Sequence, residues 1–163
     1  MLKKRKNPKP KFQIFGVYSC EDSDDDNDLC YYINDAYDLF HKYGIRLSNY
    51  ENPALIAITE KEDLAGALFG GPLPSELSNV LEIRFSVVID EKYRRLGIYR
   101  NLLKEFLKDC INNYRHYDEY ESLVFTAWVI NPLVIPVLEE NGFESVGREW
   151  SPDSPFFEKI VSL

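Results

Sequence analysis

The stretch from Phe85 to Leu103, F-S-V-V-I-D-E-K-Y-R-R-L-G-I-Y-R-N-L-L, holds the residues best placed for chemistry. Arg94, Arg95 and Gly97 lie between a strand-like run and a helical one. The first amides of a helix have no partner inside it, and the helix dipole adds positive character there, so an arginine pair and a glycine at such a point suit a phosphate or pyrophosphate. Glycine at 97 also lets the backbone come close to a ligand. Upstream, Glu82 and Arg84 interrupt the apolar run V-L-E-I-R-F-S-V-V-I and share one face by alternation, with Ile83 and Phe85 on the other. Charges inside such a strand require either solvent or a function. Asp22, Asp24 and Asp26 have the alternate spacing of the first ligands of a calcium loop, but the sixth position is Asn27 and the twelfth Ile33, so the calcium reading fails. Cys20, Cys30 and Cys110, an odd number at unrelated spacings, indicate reduced thiols rather than a disulfide framework or a zinc site. His41 and His116, at a helix end and in a polar loop, read as surface residues.

Periodicity supplies the elements that must position these groups. Phe12 to Ser19 alternates as a first strand, and after the acidic run Glu21 to Asp28 a helical stripe through Leu29, Ile33, Ala36 and Phe40 ends at Gly44, a good C-terminal cap. Ala54 to Thr59 and Leu64 to Phe69 form an antiparallel hairpin around Glu60 to Asp63. A strand from Val80 to Ile89 then leads through the arginine turn into a helix whose apolar stripe is Tyr99, Leu102, Leu103, Phe106, Leu107 and Cys110. Ser122 to Val129 is a further strand, and a helical stretch follows Asn131. Phe143 to Val146 and Phe156 to Val161 close the chain as a pair joined through Ser151 to Pro155. The element order is β, α, β, β, β, α, β, α, β, β, an α/β domain with an anion-binding strand-turn-helix.

Arg94-Arg95-Leu96-Gly97-Ile98-Tyr99 resembles the R/Q-x-x-G-x-G/A signature of the GNAT superfamily of acetyl-CoA-dependent N-acetyltransferases, preceded by a strand ending in Val87 and Ile89. Downstream, Asn131 is followed eleven and twelve residues later by Gly142-Phe143, similar to the family's N-x-x-A-x-x-x-Y-x-x-x-G-F segment. The resemblance covers the C-terminal half through these motifs and the N-terminal half through element order. It implies a mixed α/β fold: a twisted, mostly antiparallel GNAT-type sheet flanked by helices on both faces.

The resemblance also implies a chemistry. Arg94, Arg95, Leu96, Gly97, Ile98 and Tyr99 would cradle the pyrophosphate of coenzyme A, the strand edge Val87, Val88 and Ile89 would bond its pantetheine arm, and Asn131 would lie near the cofactor. Acetyl-CoA would be the acyl donor, and a primary amine would attack it directly in a ternary complex. An ammonium of the lysine type has a reference pKa of about 10.4, so a base must take its proton. Glu82 is the candidate, because many members place a carboxylate on this strand; pairing with Arg84 or Lys159 is its structural alternative. The sequence departs from the pattern at three places. Tyr99 stands where the signature has a small residue, Leu138 where many members carry a tyrosine that protonates the departing thiolate, and Pro136 removes an amide from the same helix.

The 163 residues, 45% hydrophobic, fit one globular domain. We expect a basic tail over residues 1–11 and a single domain over 12–163. Six of the 19 basic residues precede Phe12, leaving 13 bases against 27 acids, a formal −14, on the rest. Such a body should repel nucleic acid and attract cations. The expected acceptor is therefore a cationic amine: a polyamine, a small amine, or a protein lysine or N-terminus. The acidic run 21–28 is either a solvated loop or a collar for such a substrate. No apolar run is long enough to span a membrane, and no apolar leader is evident, so a cytoplasmic protein is expected, with no metal. Sheet edges of this fold also permit a homodimer. The rival reading is a catalytically silent domain of the same fold that binds a partner protein through its acidic face.

Overall fold

The computed structural model describes residues 11–17, 29–74, 79–147 and 155–163. Residues 1–10 of the basic tail, the acidic run 21–28, Cys20 and residues 151–154 lie outside the described residues, as does the side chain of Cys30. Among the described residues the elements follow the order read from the sequence: β1 (Phe12–Gly16), α1 (Leu29–Lys42), β2 (Asn52–Thr59), β3 (Leu64–Pro72), β4 (Val80–Ile89), α2 (Ile98–Tyr114), β5 (Ser122–Trp128), α3 (Ile135–Glu140), β6 (Glu144–Val146) and β7 (Phe156–Ser162). Short 3-10 turns at Glu91–Tyr93 and Pro132–Val134 precede α2 and α3. β1 is shorter than its alternating pattern suggested: Val17 keeps one bond to the Ala54 carbonyl but has left the ladder.

The strands form one sheet in the order β1-β2-β3-β4-β5-β7-β6. Neighbours are antiparallel except β4 and β5, which run parallel because α2 carries the chain back across the sheet between them. Helices cover both faces. α1 packs Ala36, Leu39 and Phe40 against Ile56, Ile58, Ala67, Phe69 and Val88. α2 lays Ile98, Leu102, Leu103, Phe106 and Leu107 on the opposite face, over Leu55, Leu68, Ile83, Phe85 and Phe125. Burial on both sides explains why β2 and β3 read as nearly continuous apolar runs rather than as alternating ones.

Two local features fix the site. α1 ends where Gly44 takes φ 66, with the Gly44 and Ile45 amides bonded back to the His41 and Phe40 carbonyls, the paired pattern of a glycine-terminated helix. The following loop then turns to β2 through Ser48 and Glu51, whose backbone bond of 3.1 Å closes a tight turn. That loop seats on β3 at Gly71, where an added Cβ would stand 2.0 Å from the Tyr50 carbonyl oxygen.

Candidate functional site

The sheet parts at its centre. β4 and β5 keep register from Val80↔Ser122 to Arg84↔Thr126, and there their pairing ends. β4 nevertheless stays with β3 as far as Ile89↔Gly66, and β5 stays with β7 through Trp128↔Phe156. A wedge therefore opens between the carboxyl ends of the two parallel strands, with Val87, Val88 and Ile89 along one lip. The crevice outside the carboxyl ends of parallel strands is where open α/β sheets bind ligands.

The arginine turn stands at the top of that lip. Asp90 caps the 3-10 turn by accepting from the Lys92 amide at 2.9 Å, and the chain enters α2 with both Arg95 (φ 65) and Gly97 (φ 81) left-handed. Gly97 is the N-cap of α2 and makes no side-chain cap, so the first amides of the helix remain available. A Cβ at 97 would meet only Asn101 Nδ2, at 3.9 Å, so the space beside the backbone is open. Arg94 and Arg95 are exposed, and Arg94 is held by Tyr43 of the loop after α1: its guanidinium lies 4.9 Å from the ring centroid and its Nε 3.4 Å from the Ile89 carbonyl oxygen. The Tyr43 hydroxyl also accepts from the Glu91 amide at 3.0 Å.

The other residues of the turn pack their side chains into the protein. Ile98 is buried, and Leu96 and Tyr99 pack against the same core as α2. Burial pushes the Tyr99 phenol well above its ordinary range, so it stays neutral. Val87 and Ile89 pack toward α2, whereas Val88 is buried on the α1 side.

On the second lip, Asn131 follows β5, and its Oδ1 accepts from the Leu133 amide at 3.0 Å, capping the 3-10 turn before α3. Pro136 sits in the first turn of this six-residue helix, where its missing amide costs no internal bond. Leu138 is fully buried beside Phe143 and is a packing residue.

Glu82 lies deeper, within the paired part of the strands. Its Oε1 accepts from the Thr126 hydroxyl at 3.1 Å and faces Arg84 at 3.9 Å; Lys159 is engaged elsewhere, donating to the Asn141 carbonyl. β4 pairs with β3 without a bulge from Ile83 to Ile89, so Glu82, Arg84, Ser86 and Val88 share the α1-side face. The Arg84 Nε is buried there with no partner among the described residues. One further carboxylate, not among the candidates read from the sequence, belongs to this face. Glu51 is 5% exposed; its Oε2 accepts from the Ser48 amide at 2.8 Å and its Oε1 from the Ser86 hydroxyl. The S-x-x-E spacing of Ser48 and Glu51, together with the phase of Ser86 relative to Glu82 and Arg84, was its available signal. His41 and His116 are exposed, as expected.

No family model matches the sequence, and no curated protein does. Solved structures do. The chain resembles Arabidopsis thaliana NAA60, solved in complex with a bisubstrate analogue, with a TM-score of 0.55 at 15% identity over 92% of this chain and 98% of that one. A chain of the NatC complex, solved bound to Gag peptide and CoA, gives 0.54 at 13% identity over 95% and 99%. Ribosomal-protein-alanine N-acetyltransferase from Brucella melitensis gives 0.50 at 20% identity over 78% and 76%. The parted parallel pair, the glycine-capped helix beside it and this similarity along nearly the whole chain lead to one assignment: the protein has the fold of the GNAT-superfamily acetyltransferases.

Proposed function

We propose that the chain is an acyltransferase that moves the acetyl group of acetyl-CoA to a primary amine of a cationic acceptor, by direct attack in a ternary complex. The observation that carries this reading is the wedge between β4 and β5 opening beside the Gly97-capped start of α2. An anionic group at that start would meet unpaired helix amides, the Arg94 and Arg95 cations, and no side chain at Gly97. Acetyl-CoA would supply the thioester carbonyl. Val87 to Ile89 would offer backbone groups to its extended arm, and Asn131 would border it from the β5 side. The shared fold supports the reading, since NatC is solved with CoA and NAA60 with a bisubstrate analogue.

The acceptor class follows from charge on the α1 side of the wedge. Glu82 and Glu158 share by register the face of Arg84, the strands' one cation on that side among the described residues, and the buried Glu51 joins that face through Ser86, so acids outnumber bases there, an arrangement that favours a positively charged substrate. Trp128, 40% exposed and two residues beyond Thr126 on the same face of β5, adds a ring surface for the apolar stem or the charge of an amine. Incubation with acetyl-CoA and spermidine, n-butylamine or a lysine-containing peptide, followed by product mass, tests the proposal. An acetylated amine is expected; bound acetyl-CoA with no acetylated product from any of them would favour the silent binding domain.

A further inference from the structure

Resting on the acetyl-transfer reading, we propose that Ser86 and Glu51 form the proton relay for the acceptor amine, with the Ser86 hydroxyl touching the amine and Glu51 taking the proton. Burying a carboxylate without a countercharge is costly unless donors surround it. Glu51 is 5% exposed and takes part in none of the ion pairs found among the described residues. What holds it is a division of labour between its oxygens. The Ser48 amide fixes Oε2 within the turn before β2, and this leaves Oε1 to the Ser86 hydroxyl on β4.

Ser86 stands at the informative place. It is two residues beyond Arg84, the last β4 residue paired with β5, so its side chain lies at the start of the wedge on the α1 face. Glu82 lies two residues on the other side of Arg84, inside the paired strands, with its Oε1 committed to Thr126. The Ser86 oxygen, donating its proton to Glu51, keeps lone pairs with which to accept from an ammonium in the wedge. In the relay the ammonium gives one N–H proton to the Ser86 oxygen while the Ser86 hydroxyl proton passes to Glu51 Oε1, leaving a neutral acid. The freed nitrogen lone pair bonds to the thioester carbonyl carbon as the C–S bond breaks, and a second N–H proton leaves with the sulfur.

The test is carbon NMR of protein labelled at glutamate Cδ, with the Glu51 signal assigned by its disappearance in Glu51→Gln. n-Butylammonium and spermidine are added to the free protein and to protein with CoA. The Glu51 resonance should move with added amine in the wild type and stay still in Ser86→Ala. A resonance that ignores both amines, or one that still moves in Ser86→Ala, overturns the relay. With an amine that turns over, each variant should lower kcat by about 100-fold, within the usual range for a lost general base, with KM for acetyl-CoA unchanged. An unchanged kcat also overturns it. CoA titration is read separately: failure of CoA to bind removes the acetyl-transfer reading, while the amine-dependent shift still decides what Ser86 and Glu51 do.

Discussion

Gly97 joins the proposed anion site to the fold, because its φ of 81 is a left-handed conformation that costs other residues about 1–2 kcal/mol. Gly97→Glu adds that strain and a negative side chain in the open space beside the helix start. The fold should survive, since domain stabilities run to about 5–15 kcal/mol. CoA affinity measured by calorimetry should fall by about 100-fold or more, close to 3 kcal/mol. Cys110 of α2 is buried in the core. Burial pushes its thiol up to about 12 from 9.0. The unfolded thiol ionises first, so the contribution of Cys110 to stability is full below about 9 and is lost as pH rises toward 12. Iodoacetamide at pH 8 should leave Cys110 unmodified in the folded protein and alkylate it in denaturant, as peptide mass mapping would show.

Between elements, Gly71 and Phe106 show how the site depends on packing. A Cβ at Gly71 would sit 2.0 Å from the Tyr50 carbonyl, next to Glu51, and Gly71 is the β3 partner of Arg84. Gly71→Ala should cost about 1–3 kcal/mol, as overpacking does. It should also abolish the amine-dependent shift of Glu51 by displacing the loop, while CoA binding remains. Phe106 of α2, 2% exposed, sets its ring against both Phe85 of β4 and Phe125 of β5. Phe106→Ala should lower stability by about 3–5 kcal/mol in urea denaturation.

β4 was legible from Val80 to Ile89 because its apolar and charged residues alternate, and α2 because Leu102, Leu103, Phe106 and Leu107 recur at helical spacing. The Arg94 to Tyr99 turn stood out because its residue types serve backbone geometry and charge locally. The parting of β4 from β5 was hidden, since pairing between strands joined by a 17-residue helix leaves no trace in either strand's pattern. Glu51 was legible only as the end of an S-x-x-E turn, not as a buried carboxylate. It comes from a loop, and only the long-range contact of that loop with Ser86 buries it. The bulge at Ala65, where β2 and β3 shift register between Ala57 and Ile58, was equally invisible in a run of small apolar residues.

Taken whole, the molecule combines a sheet of seven strands among the described residues with a strongly acidic body, 13 bases against 27 acids from Phe12 onward. The proposed attraction of a cationic acceptor by such a surface should weaken as salt shortens the screening length to about 8 Å at physiological ionic strength. KM for spermidine should therefore rise between low and high salt, with a much smaller change for a neutral amine analogue. The most direct measurement is calorimetric titration of the full chain with acetyl-CoA and with free CoA. Micromolar binding of both, lost in Gly97→Glu, is the predicted result. A well-folded protein that binds neither, or a Gly97→Glu variant that binds as tightly as the wild type, would contradict the assignment of the wedge and the α2 start as the donor site.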